Sequence, residues 1–289
     1  MSELLSISES SGSRSAAALY YVRILMRSRT FLVGGVVVVF WLLAAAAWPF
    51  IVPYDPQAVA PFDAFSPPNA VHWLGTDQLG RDVFSRVLAG STSVLAIAPA
   101  ATVLAVFAGS LIGLVAGYYG GIADDLLMRF VDAQLAFPGL ITAVMVLGLL
   151  GPSELNMILL IAIFFTPLVA RVARSSVLGE REKDYIGAAR MRGERSPYVM
   201  FIEILPNITG PIVVEGTVRL GYAVFTAATL SFLGLGLQPP SPDWGRTVSE
   251  QANYLQDAPW ALLGPAVALA TLVVGVNLLA DGLRRAVRE

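Results

Sequence analysis

The chain has 289 residues, 56% of them hydrophobic and only 14% charged, with a mean hydropathy of +0.68. A soluble domain carries roughly a quarter charged residues, so this composition cannot dress a surface for water, and its apolar content excludes disorder. A net charge of −2 and a pI near 5.5 argue against nucleic acid as a partner, and with no cysteine and one histidine, His72, disulfides, thiolate chemistry and a histidine-rich metal site are excluded. What remains is an integral membrane protein, and its long uncharged runs make the expected fold all-α.

A spanning helix takes about 20 apolar residues to cross roughly 30 Å of hydrocarbon. Residues 1–30 read as a cytoplasmic N-terminal segment. Phe31–Val52 then gives 22 uncharged residues. Ala44–Ala47 resembles a cleavage region, but a signal's apolar core is about 7–15 residues, so residues 31–53 read as an uncleaved first span. Residues 54–90 read as external. Pro53, Pro56, Pro61, Pro67 and Pro68 keep the first part irregular. Thr76 or Asp77 then caps a short amphipathic helix with Asp77–Arg81 and Asp82–Arg86 at i,i+4 and Leu79, Val83 and Val87 on its apolar side. Residues 91–289 hold the other five spans. Their uncharged runs are Val87–Ala123 (37 residues), Ala133–Ser153 (21), Leu155–Ala170 (16), Leu220–Pro242 (23) and Ala258–Ala280 (23). The run of 16 is short and ends at Arg171 and Arg174, whose stems reach back to the headgroups. The fifth span starts near Asn207, and Trp244 and Trp260 sit where interfacial aromatics lie.

Six spans with the N-terminus inside leave only Arg81, Arg86 and Arg246 outside and Arg219 within a span, with the remaining 15 of 19 basic residues inside. The opposite orientation inverts that split, so both termini are expected in the cytoplasm.

The cytoplasmic loop 171–206 carries seven basic residues yet has helical order. Glu180 through Arg192 are mostly good helix formers, and Gly193 stands where a helix end wants a left-handed residue. Ser196-Pro197 reads as N-cap and first position of a second short helix, which should stop or kink at Leu205-Pro206. One reading is a tidy positive-inside loop; the other is a docking protrusion.

Ala188-Ala189, then Gly193 and, twelve residues on, Leu205-Pro206 resemble the "EAA" loop of the permease subunits of bacterial ABC importers. Gly187 stands where that pattern has glutamate and Glu203 where it has isoleucine; permeases of the dipeptide, oligopeptide and nickel group often lack that glutamate and end in Ile-Leu-Pro-Asn, as Ile204–Asn207 does. Further stretches resemble the same group: His72-Trp73-Leu74-Gly75-Thr76-Asp77-Gln78-Leu79-Gly80-Arg81-Asp82; Gly117-Tyr118-Tyr119-Gly120-Gly121 with Ala136-Phe137-Pro138; Leu230–Gly236 with Gln238-Pro239-Pro240; and Asp281-Gly282-Leu283-Arg284. The resemblance runs from about residue 20 to the C-terminus and is to the "C" type of the two paired permeases.

That resemblance implies a type I ABC importer permease of six transmembrane helices in the bacterial inner membrane. It implies as partners a homologous "B"-type permease, two cytoplasmic ATPases that bind ATP and magnesium, and an extracytoplasmic binding protein. Peptides are the expected cargo, with nickel or another small solute as the alternative. It places a coupling helix on Asp184–Gly193, where Gly187, Ala188 and Ala189 allow close approach to the ATPase and Asp184, Arg190 and Arg192 fix the register. Gly193 ends that helix, and Leu205 and Pro206 pass movement to the fifth span. No catalytic residue, cofactor or metal site is expected in the chain itself. Independently, a phosphate-binding loop needs Gly-Lys-Ser/Thr, and the one lysine, Lys183, lies between Glu182 and Asp184. His72 reads as a local hydrogen-bonding residue.

Glu215 and Arg219 fall about 12 and 18 Å along the fifth span when counted from Asn207 at ~1.5 Å per residue. Ionisable groups there face a partner or a wet path, so they are either a neutralised structural pair or part of the translocation path, with Asp132 and Gln134 in the same wet region. A gradient-driven transporter and a membrane scaffold are the rival classes, and neither needs a partner ATPase.

Overall fold

A computed structural model describes residues 25–288, with the side chains of residues 286–288 left aside. Most of the expected N-terminal segment, including Arg14 and Arg23, lies outside the described residues.

The architecture is all-α, and its helices form where the apolar runs and caps direct them. Helix α1 (Arg29–Ile51) starts at Ser28, whose hydroxyl accepts the Phe31 N–H, and stops before Pro53. Helix α2 (Val83–Tyr119) is capped by the Asp82 carboxylate, which accepts the Ser85 N–H at 2.8 Å, and ends at Gly120 with φ +64°. Helices α3 (Gly121–Ala136) and α4 (Gly139–Leu150) are followed by α5 (Glu154–Glu180), capped by Ser153. Then come α6 (Asp184–Met191), α7 (Ser196–Phe232), α8 (Trp244–Gln251) and α9 (Pro259–Arg288). Five helices are long and apolar enough to cross a membrane (α1, α2, α5, α7 and α9), and the bent pair α3/α4 supplies a sixth crossing if it counts as one span.

Several expectations change here. No helix starts at Thr76: Gly80 at φ +71° turns the chain and Thr76 bridges Asp82, so Asp77 caps a loop through the N–H groups of Leu79 and Arg81. The run Ala133–Ser153 is not one helix. Pro138 forces Phe137 into an extended conformation (ψ 131°), and α3 and α4 meet at 85°. The short fourth run belongs to a helix of 27 residues that continues past Arg171 and Arg174 to Glu180. Those arginines pair with carboxylates on α3: Arg171 with Asp132 at 2.6 Å, and Arg174, which grips Asp124 with two nitrogens. Pro206 does not stop α7 either. Just before it, Val199–Ile204 widens into a π-helical turn in which the Leu205 N–H reaches the Met200 carbonyl, five residues back. That turn absorbs the proline. Ser196 and Pro197 open α7, with Arg195 rather than Ser196 at the N-cap.

Packing divides into two apolar clusters. The larger holds Trp41, Ile97, Leu147, Leu230, Trp244 and Leu272; the smaller, at the α6 end, holds Leu114, Val177, Ile186, Ala189, Ile204 and Ile208. Helices α2 and α5 touch along Gly109, Gly113 and Gly117, where an added Cβ would lie 2.6, 2.5 and 2.8 Å from atoms of Val169, Ala170 and Val177. Small residues at such spacing let helix backbones meet inside a membrane. Large apolar side chains stay uncovered on α1 and α4, as with Val36 and Leu149 at 70% and 84% exposed, a surface suited to lipid and not to water.

The segment between α1 and α2 folds back on α2, α8 and α9 through polar groups. Arg81 pairs with Asp77 at 2.6 Å and with Glu250 of α8 at 3.6 Å, Arg86 of α2 donates to the Pro56 carbonyl at 3.0 Å, and Trp260 of α9 donates to the Thr76 carbonyl at 3.1 Å. His72 binds Asp82 through Nδ1 at 2.9 Å, the local role expected of it. Asp243 caps α8 and accepts from Ser231 at 2.9 Å, and burial pushes its carboxyl above the usual carboxylate range despite those donors.

Candidate functional site

Helix α6 is the candidate coupling element, and its ends are set by chemistry visible in the sequence. Asp184 lies in the first turn, where a negative charge suits the helix dipole. At the other end Gly193 has φ +79°, its N–H bonds the Arg190 carbonyl at 3.0 Å, and the Glu194 N–H bonds the Ala189 carbonyl at 3.2 Å. Those two crossed bonds need a left-handed residue between them, and only glycine adopts that conformation without strain. An added Cβ would meet no atom within 4 Å, so the backbone angle alone demands glycine there.

The faces of α6 separate cleanly. Ile186 and Ala189 are fully buried against α2, α5 and α7. Asp184, Gly187, Arg190 and Met191 are exposed and Ala188 is half-buried. Residues 184, 187, 188 and 191 share one face by helical spacing. Ala189 therefore does not belong to an outward small-residue surface: it packs inside the chain, and Met191, 85% exposed, extends the outward face instead. The expected register-fixing arginines also have partners of their own. The Arg190 guanidinium lies 5.1 Å from the Tyr118 ring centre, and Arg192 approaches Glu203 at 3.5 Å and Glu194 at 3.7 Å. Leu205 is half-buried against the same cluster and Pro206 is exposed.

Three contacts that the loop motif does not announce tie α6 to its neighbours. Tyr185 donates to Glu180 at 2.6 Å, Asn207 donates to the Tyr185 hydroxyl at 3.0 Å, and Lys183 pairs with Glu180 at 2.8 Å. Burial and the Glu180 carboxylate push the Tyr185 hydroxyl up to about 12, so it stays a donor at neutral pH.

Farther along α7, Glu215 and Arg219 stand together at 2.7 Å, and both are less than a fifth exposed. The contact is an ion pair rather than an aligned hydrogen bond. The Arg219 guanidinium also lies 5.9 Å from the Phe165 ring centre and 5.1 Å from that of Tyr222, an arrangement that favours a planar cation. Asp132 does not join this pair. It is held by Arg171, and both partners of that second pair are more than half exposed. The Gln134 Oε1 is buried without a hydrogen-bond partner among the described residues, so it does not bond either pair.

Between α2 and α7 runs an apolar groove of about 570 Å³ lined by Val103, Val106, Phe107, Ser110, Thr209 and Val213, among others. Among the described residues no three His, Asp or Glu side chains converge as a metal site.

Residues 109–289 match the family described as the binding-protein-dependent transport system inner membrane component, and residues 20–68 match the N-terminal transmembrane domain of oligopeptide transport permease C. The chain is 37% identical over 262 residues to the dipeptide transport system permease protein of Alkalihalophilus pseudofirmus, covering 91% of this chain and 86% of that one. It is 40% identical over 247 residues to the glutathione transport system permease protein of Pectobacterium atrosepticum, covering 85% and 82%. With the probable D,D-dipeptide transport system permease protein of Escherichia coli it shares 38% over 251 residues, covering 87% and 84%. A multi-pass helical membrane chain that carries a glycine-stopped helix between two of its spans, and that matches these proteins over most of its length, belongs to the family of binding-protein-dependent transport permeases.

Proposed function

We propose that this chain is one of two homologous permease subunits of an ATP-driven peptide importer in a bacterial inner membrane. Peptide cargo is supported by the relatives, which are named for dipeptide and glutathione transport. The other parts are a "B"-type permease, two cytoplasmic ATPases that bind ATP and magnesium, and an extracytoplasmic binding protein. The chain performs no covalent chemistry. Both of its termini are cytoplasmic, in keeping with the distribution of arginines.

The observation that carries this reading is the two-sidedness of α6. Its outer face (Asp184, Gly187 and Met191) is bare, while its inner face is packed against α2, α5 and α7. Such an element transmits force: whatever seats against the outer face moves the three helices behind it. Glu215 and Arg219 lie on α7, one of those helices, and form a polar wall of the path; Asp132 with Arg171 forms a separate rim pair.

Met191→Arg tests the docking. It adds a charge to the outward face without touching a buried contact, so the permease pair should insert and assemble normally. Co-purification of the ATPase and uptake of alanyl-alanine should both fall at least about tenfold. Unaltered co-purification and uptake would remove α6 from the coupling surface.

A further inference from the structure

We propose that Tyr185 is a positioning residue of this transporter, its hydroxyl bridging the cytoplasmic end of α5 to α7 so that α6 drives both helices as one. The inference rests on the reading of α6 as the coupling helix. Among the described residues, Tyr185 is the α6 side chain that hydrogen-bonds both α5 and α7. It donates to Glu180 Oε1 at 2.6 Å and accepts from Asn207 Nδ2 at 3.0 Å.

The two anchors are themselves fixed. Glu180 closes the last turn of α5 and also accepts from Lys183 Nζ at 2.9 Å, and Asn207 donates to the Glu203 carbonyl at 2.7 Å. Asn207 lies just beyond the widened turn Val199–Ile204 and Pro206, so the bridge grips α7 past its irregular turn. Apart from Arg190 over Tyr118 and the half-exposed Arg192–Glu203 pair, the α6 packing is apolar and permits sliding, because contact between hydrocarbon surfaces has little direction. Hydrogen bonds to a carboxylate and an amide are directional, and they forbid α6 from rolling on α7 without carrying α5 along. Without the hydroxyl, α6 stays docked on both sides while the relative register of α5 and α7 becomes loose. Lost coupling, with assembly intact, is the signature of such a role.

The test uses the complete transporter in liposomes, with its binding protein and alanyl-alanine as cargo. Tyr185→Phe keeps the ring and removes the bridge. Assembly should be retained, while uptake, and the ratio of cargo-stimulated to basal ATP hydrolysis, should fall about tenfold. Asn207→Ala should give the same loss, and the double variant should be no worse than the worse single. Glu180→Gln keeps an acceptor oxygen for the hydroxyl and should restore most of the coupling that Glu180→Ala loses. Tyr185→Phe with wild-type uptake and stimulation overturns the proposal, as does a loss explained entirely by failed assembly. Met191→Arg serves as the reference. If it loses the ATPase while Tyr185→Phe is silent, the bridge is wrong and the coupling surface stands. If both are silent, the coupling surface itself is wrong.

Discussion

At the scale of single residues, the membrane ion pair is the most consequential feature. Glu215 and Arg219 meet at 2.7 Å with Phe165 and Tyr222 against the guanidinium. Removing one partner strands the other, at a cost of about 2–4 kcal/mol in assembly stability. Glu215→Ala and Arg219→Ala should therefore each lower the yield and melting temperature of the purified permease, and the double variant should recover both. Recovered stability without recovered uptake assigns the pair to the path, and recovery of both assigns it to structure alone; harmless singles would mean that the pair carries neither role. The pair itself was legible from i,i+4 spacing with glutamate first. Ala189 was misread for a reason of the same kind. A motif names positions but not faces, and in an eight-residue helix one step of about 100° separates the docking side from the buried side. The Tyr185 bridge left no trace in the sequence because its partners are 5 and 22 residues away, and neither separation is a helical or turn spacing that would single the three residues out together.

At the scale of elements, apolar runs located the spans but not their shapes. The widened turn before Pro206 was invisible because a proline announces only what it cannot do, and whether the helix stops or adjusts depends on the packing around it. Ile204 and Ile208, buried on either side of that proline, keep α7 continuous through the irregularity. The break at Pro138 is the opposite case: α4 buries little more than Ala143 and Leu147, too little to hold a continuous helix across Phe137. The seam between α2 and α5 was legible only as glycines in an apolar run. Gly113→Leu tests it. Its Cβ would sit 2.5 Å from the Ala170 carbonyl oxygen, and backbone cannot yield as a side chain can. Overpacking of this kind costs at least about 1–3 kcal/mol, so the variant should express poorly or melt several degrees lower, whereas Gly187→Leu, with open space around its Cβ, should leave the melting temperature unchanged. Equal melting temperatures would mean that the seam is looser than it stands here.

At the scale of the whole molecule, orientation is open to direct measurement because the chain has no cysteine. Phe62 is fully exposed in the segment before α2, and Met191 is exposed on α6. In intact cells an impermeant thiol reagent should label Phe62→Cys and leave Met191→Cys untouched until the membrane is opened. Labelling of Met191→Cys in sealed cells would reverse the topology. The seam has a mechanical corollary for the same molecule. Two helices in backbone contact at three successive turns have no room to slide, so α2 and α5 behave as a single girder. Any change of shape must then fall where atoms are sparse, and the apolar groove that parts α2 from α7 is such a line. With the cytoplasmic end of α7 tied to α5 through Tyr185, the freedom left to α7 is a tilt about that tie, and Gly216, whose added Cβ would lie 2.9 Å from Val106, marks where the tilting helix bears on the girder.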